Sequence, residues 1–158
     1  MHRVCRKHGG GVMIRTFGDY NATDYYYLHT NGDLIHKYKT VVESDPEYFD
    51  SPFVKQAWGI NTESRACAWM LCIEALAMGA NKKRVFELKK KWNLTDKDGL
   101  IFAEHMQPFK AYKDGDSWCV IDKDNFTNIQ ESQVGFGDTI LEAFADFIKD
   151  SLFMVVDK

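Results

Sequence analysis

The chain has 158 residues, the length of one domain. Apolar residues make up 45% and aromatics 14%, enough for a sizeable core and too much for a disordered chain. Lys and Arg total 20 against 23 Asp and Glu, a net charge of -3, which excludes a polybasic protein that coats nucleic acid without selection.

Residues 1–12, Met-His-Arg-Val-Cys-Arg-Lys-His-Gly-Gly-Gly-Val, are basic with no apolar run behind them. They do not form a secretory signal. Met13 opens a more ordinary stretch and is a second candidate start. Residues 1–12 are expected to be a disordered leader, leaving 13–158 as a single α+β domain. No window approaches the roughly 18 consecutive apolar residues of a membrane span. A cytoplasmic protein is expected, with no membrane partner.

The first folded part is a hairpin over residues 24–39. Asn31-Gly32 separates Tyr25-Tyr26-Tyr27-Leu28-His29-Thr30 from Asp33-Leu34-Ile35-His36-Lys37-Tyr38. Asn-Gly between β-rich runs predicts a two-residue turn with positive φ at both positions. That turn pairs His29 with Leu34 and Tyr27 with His36. Tyr25, Tyr27, His29, Leu34, His36 and Tyr38 then share one face, and Tyr26, Leu28, Ile35 and Lys37 the other. An acidic, turn-rich stretch follows from Glu43 to Pro52.

The middle part, residues 53–106, reads as helical. Asn61 or Thr62 caps a helix running to about Gly79, in which Ala66, Trp69, Ile73, Leu76 and Ala80 form a buried stripe. Met70, Cys67 and Ala77 widen that stripe, so this is the expected central core helix. Lys82 to Trp92 buries Val85, Leu88 and Trp92 and exposes Lys82, Lys83, Lys89, Lys90 and Lys91. A third helix starts at Thr95, with Asp98 closing a capping box, and ends near Met106.

The last part, residues 109–153, reads as a ββ(β)α layer. Phe109–Lys113 and Trp118–Asp122 flank Asp114-Gly115, a second hairpin signal, and Phe126–Gln130 is a candidate third strand. Gly135-Phe136-Gly137 is expected to turn into a helix from about Asp138 to Phe153, capped by Thr139 and Glu142. The hairpin and these strands are expected to join one antiparallel sheet.

Several residue groups carry candidate chemistry. Tyr25, Tyr27, His29, His36 and Tyr38 form a candidate binding face, because Tyr and His serve interfaces well. Glu74 is the one charge between Arg65 and Lys82, so Arg65 and Glu74 are a candidate buried ion pair. His29, His36 and Glu74 together would make an acid–base set for a small hydrolase-like enzyme. Neither histidine opens a His-x-Thr or His-x-Ser tetrad.

Residues 86–105 have the spacing of a helix-turn-helix, but Asp96, Asp98 and Glu104 would repel phosphates. Cys67 and Cys72 lie about 140° apart on their helix and are expected to be buried thiols of a reducing compartment. His2, Cys5 and His8 have ligand-like spacing within the leader. No Walker loop, Gly-x-Ser-x-Gly or His-Glu-x-x-His occurs, and no metal, cofactor or catalytic residue is assigned.

Two resemblances add to this reading. Trp118-Cys119-Val120-Ile121 with Gly135-Phe136-Gly137-Asp138-Thr139-Ile140-Leu141-Glu142-Ala143 resembles the strand-then-helix signature of HicB-like antitoxin domains, over about 109–153. It implies a ββ(β)α layer. The runs Trp58-Gly59-Ile60, Arg65-Ala66, Trp69, Glu74 to Ala80, Asn125-Phe126 and Gln130-Glu131-Ser132 are similar to those of small, uncharacterised bacteriophage and prophage proteins. That implies an accessory protein that binds a bacterial host protein without catalysis. The alternative is a nucleic-acid-linked regulator, antitoxin-like or helix-turn-helix. A homodimer through the aromatic hairpin face is a further expectation.

Overall fold

The computed structural model describes residues 3–8, 12–17, 22–38, 53–106, 109–124 and 134–156, with 3–8, 12–17 and 150–156 described by backbone alone. Five strands come first: β1 (Arg3–His8), β2 (Val12–Phe17), β3 (Asp24–His29), β4 (Leu34–Tyr38) and β5 (Val54–Ile60). Helices α1 (Arg65–Ala77), α2 (Lys82–Lys91) and α3 (Asp96–His105) follow. Strands β6 (Phe109–Asp114), β7 (Ser117–Asp122) and β8 (Val134–Gly137) lead into α4 (Ile140–Val156). The fold is α+β, with the hairpin, the central helices and a C-terminal three-stranded layer followed by a helix.

The strands form two sheets, not one. The first runs β1-β2-β5-β3-β4 and the second β6-β7-β8. Arg3–His8, expected in a disordered leader, is strand β1, paired antiparallel with β2. The first sheet is mixed, because β2 pairs parallel with β5. β5 falls in the part read as helical, yet it is the middle strand. The third strand of the second sheet is β8, and Gly135 and Gly137, read as a turn, lie in it. The candidate strand Phe126–Gln130 lies outside the described residues.

The hairpin keeps its place but changes register. Leu28 pairs with Leu34, Tyr27 with Ile35 and Tyr26 with His36. The loop has three residues. His29 N–H donates to the Asp33 carbonyl at 2.8 Å and Gly32 N–H to the His29 carbonyl at 2.9 Å. Gly32 takes φ 97, and Asn31 does not enter the left-handed region. This is a turn closed by a glycine bulge rather than the two-residue turn. The Asn31 side chain stabilises it by accepting from Asp33 N–H at 2.9 Å. A one-residue slip exchanges the faces of one strand relative to the other.

Helix α1 is buried almost all round, from Cys67 to Ala77. A helix without a polar face belongs inside, and α1 lies against β5, α2 and α4. Ser64 caps it, its side chain accepting from Cys67 N–H at 3.2 Å, in place of Asn61 or Thr62. Its far end is closed by Gly79 at φ 96, with Ala80 N–H donating to the Ala75 carbonyl at 2.9 Å. Ala66 is exposed and Leu76 half-buried, so the buried surface is wider than, and displaced from, the expected stripe.

One continuous core joins both sheets through α1 and α4. Stacked and edge-on rings link Trp69 to Phe102, Phe102 to Phe144, and Phe109 to Phe144 and Phe147. They tie α1, α3, α4 and β6 together. Strand β8 approaches α4 backbone to backbone: a Cβ on Gly135 would lie 2.2 Å from the Ala143 carbonyl oxygen. Gly135→Ala is therefore expected to lower stability by roughly 1–3 kcal/mol through a forced shift of β8, measured as a lower denaturation midpoint.

Candidate functional site

The register of the hairpin decides the fate of the candidate binding face. Tyr27 is fully buried within the sheet, so it offers no surface. Tyr25 and His29 are half-buried, His36 is partly exposed and Tyr38 is 63% exposed. Strand alternation puts Tyr25 and Tyr27 on one side and His36 and Tyr38 on the other. The five residues therefore do not form one face. What forms instead is a small cluster around His36. Its Nε2 lies 2.8 Å from Oδ2 of Asp24, and Thr23 Oγ1 donates to the other Asp24 oxygen at 3.0 Å. The His36 ring sits 4.9 Å from Tyr26 and 4.6 Å from Tyr38, centroid to centroid. Burial pushes the Tyr26 hydroxyl far above its ordinary value, and the nearby Asp24 adds to this. Asp24 holds the imidazole in place, which is a positioning arrangement at the sheet edge.

Arg65 and Glu74 do not pair. They lie at opposite ends of one helix, and each has a different partner. Glu74, buried under the first sheet, accepts from Trp58 Nε1 at 2.9 Å. Arg65 reaches outward. It pairs with Asp98 and donates to the Asn93 carbonyl at 2.7 Å and the Trp92 carbonyl at 3.4 Å. Those carbonyls end α2, where Asn93 takes φ 52, while Asp98 closes the capping box of α3 with Thr95. A single guanidinium thus joins the start of α1, the end of α2 and the start of α3. The acid–base set of His29, His36 and Glu74 is likewise split, since the Glu74 carboxyl is committed beneath the sheet and His36 is held by Asp24.

Cys67, Cys72 and Cys119 are free and buried. Burial pushes the Cys72 thiol up to about 12 and raises Cys119 as well. The side chain of Cys5, with His2 and His8, lies outside the described residues. Among the described residues no group of three or more His, Cys, Asp or Glu could hold a metal ion. No helix among them is long and apolar enough to cross a membrane.

Helices α2 and α3 do not form a compact helix-turn-helix. α2 docks on α1, whereas α3 docks chiefly on β6 and α4. Lys82 is taken up by Glu142 of α4 at 2.6 Å, and the aromatic face of Phe86 lies beneath Lys82 and Lys89. The basic side of α2 is thus partly tied down.

A concave surface lies elsewhere, between α3 and β6. This groove of about 590 Å³ is lined by Leu100, Ile101 and Ala103 of α3 and Phe109, Lys110 and Ala111 of β6, with Lys97, Glu104 and Lys123 at its margin. Leu100 is 40% and Ile101 44% exposed. The sequence carried a signal for it. Leu100-Ile101-Phe102 are consecutive apolar residues on a helix, each turned about 100° from the last, and one stripe cannot bury all three. Phe102 goes inside and its neighbours stay out. The floor is firm, because Phe109 stacks edge-on with Phe144 and Phe147.

Comparison with protein-family models, curated proteins and solved structures returns no match.

The Arg65 junction has a pH signature. The Arg65 hydrogen bond and the Thr95 backbone N–H hold Asp98 down at about 2, below its ordinary 3.8. A lowered folded-state value contributes stability above the unfolded value and loses it as pH falls through the folded one. Stability should therefore drop between about pH 4 and pH 2 in acid titration of the native chain. In Arg65→Ala that part of the drop should shrink, measured by circular dichroism in denaturant.

Proposed function

We propose that this chain is a phage-type accessory protein that acts by binding a bacterial host protein, with no reaction of its own. The observation that supports the binding role is the α3–β6 groove. It combines an apolar centre at Leu100, Ile101 and Phe109 with a charged rim at Lys97, Lys110 and Lys123. That is the anatomy of a protein interface, apolar inside and polar outside. Covering what remains exposed of Leu100 and Ile101 would contribute roughly 1 kcal/mol each. Neither side chain belongs to the core, which Phe102 and Ala103 reach. The phage and host setting rests on the resemblance of the sequence runs given above. Within this reading the contact surface moves from the hairpin, whose Tyr27 is buried, to the groove.

The test is a tagged pull-down of the full chain from nuclease-treated bacterial lysate, read by mass spectrometry. One protein captured near stoichiometry, lost with Leu100→Asp plus Ile101→Asp and kept with Tyr38→Ala, is the expected result. Because Leu100 and Ile101 are each more than half covered, melting temperatures are measured for both variants, and Lys110→Glu at the exposed rim serves as a second groove variant that leaves the core untouched. An empty pull-down, or capture that ignores the groove variant, overturns the proposal. A second copy of the chain as the captured protein would mark a homodimer instead, read by light scattering after size exclusion.

A further inference from the structure

We infer that the α3–β6 groove takes an extended, acidic segment of the partner protein, added alongside β6 as a further strand. This rests on the binding reading above and names the chemistry of what binds. Three observations carry it.

The first is the position of β6. It is the outer strand of its sheet, with β7 as its one strand neighbour among the described residues. The Asp114–Ser117 pair flanks a two-residue turn in which Gly115 takes φ 63. Such a turn makes that pair mutually hydrogen-bonded, and the pattern alternates along an antiparallel ladder. Tyr112 and Lys110 therefore bond to β7, while Ala111 and Lys113 turn their backbone groups away from it. An outer edge of this kind is a template for another strand.

The second is which residues line the groove. Phe109 packs on Phe144 and Phe147 of α4, and Ala111 belongs to the same core. Lys110, between them, points to the opposite face and is exposed. A groove lined by all three cannot lie on one face of β6. It runs along the edge, between the strand and α3. A helix would meet only one face, whereas an extended segment meets the edge and places alternate side chains to either side.

The third is charge. Lys97, Lys110 and Lys123 are exposed around the groove against one carboxylate, Glu104. The whole chain is net negative, so this local excess of ammonium groups runs against the average. Complementarity selects a segment whose apolar residues meet Leu100, Ile101 and Phe109 and whose Asp or Glu residues meet the lysines.

The experiment selects a displayed random-peptide library on the full chain. The strongest enriched peptide is then measured by fluorescence anisotropy. The expected peptides carry Asp or Glu among apolar residues. Lys110→Glu or Lys123→Glu should weaken the binding about tenfold, the size of an interface charge loss. Methylating alternate peptide backbone nitrogens should abolish binding in one phase of alternation and spare it in the other. Enriched peptides without acidic bias, or binding indifferent to both lysines and to backbone methylation, overturn the inference. If the pull-down captures a partner through the groove while the library returns other chemistry, the binding role stands and this inference alone falls. If both are empty, both fall.

Discussion

The hydrogen bond from the Trp58 indole to the Glu74 carboxyl is the contact on which the architecture turns. It is a polar link inside an apolar core, between the middle strand of the first sheet and the helix that packs against the other three. Leaving either group unpaired at such depth costs about 1–3 kcal/mol. The pair therefore specifies how α1 lies on β5, beyond what oily contact alone would fix. Once α1 is seated, its opposite side receives α4, and α4 brings the second sheet with it. The two sheets share no strand. They are one molecule because α1 and α4 lie between them.

A second level of order comes from helix ends. The Arg65 guanidinium collects the last carbonyls of α2 and the capping carboxylate of α3. This sets the path of the chain where three helices meet. It also fixes where α3 runs relative to α1, and so which side of α3 faces outward. Trp69, Phe102 and Phe144 lock the inner side. Leu100 and Ile101 are left on the outer side by the same geometry that buries Phe102. The groove is a consequence of this scaffold, and its walls are as firm as the core behind them.

Much of this was legible in the residues. Thr95 with Asp98 announced the start of α3, and Thr139 with Glu142 the start of α4, because capping is local chemistry. The apolar character of residues 66–80, broken only by Glu74, announced a central helix. What escaped was set at long range. Asn31-Gly32 marked a hairpin, but Gly32 at φ 97 closes a three-residue loop, and the slip sends Tyr27 into the sheet. Val54–Ile60 carries no clean alternation because it is covered on both faces: Ala57 and Trp58 are neighbours in sequence and both fully buried. Glu74 signalled a buried polar contact, yet its donor is an indole from the strand before it rather than a guanidinium. The groove was foreshadowed only by three consecutive apolar residues on one helix.

The outer side of α3 is proposed as a contact surface for another protein. Site-specific photocrosslinking in bacterial cells reads this directly, with the photoreactive residue at Ile101 and, as control, at the exposed Tyr38. One discrete protein adduct is expected from position 101 and none from position 38. An adduct from position 38 alone, or no adduct from position 101, would contradict the proposal.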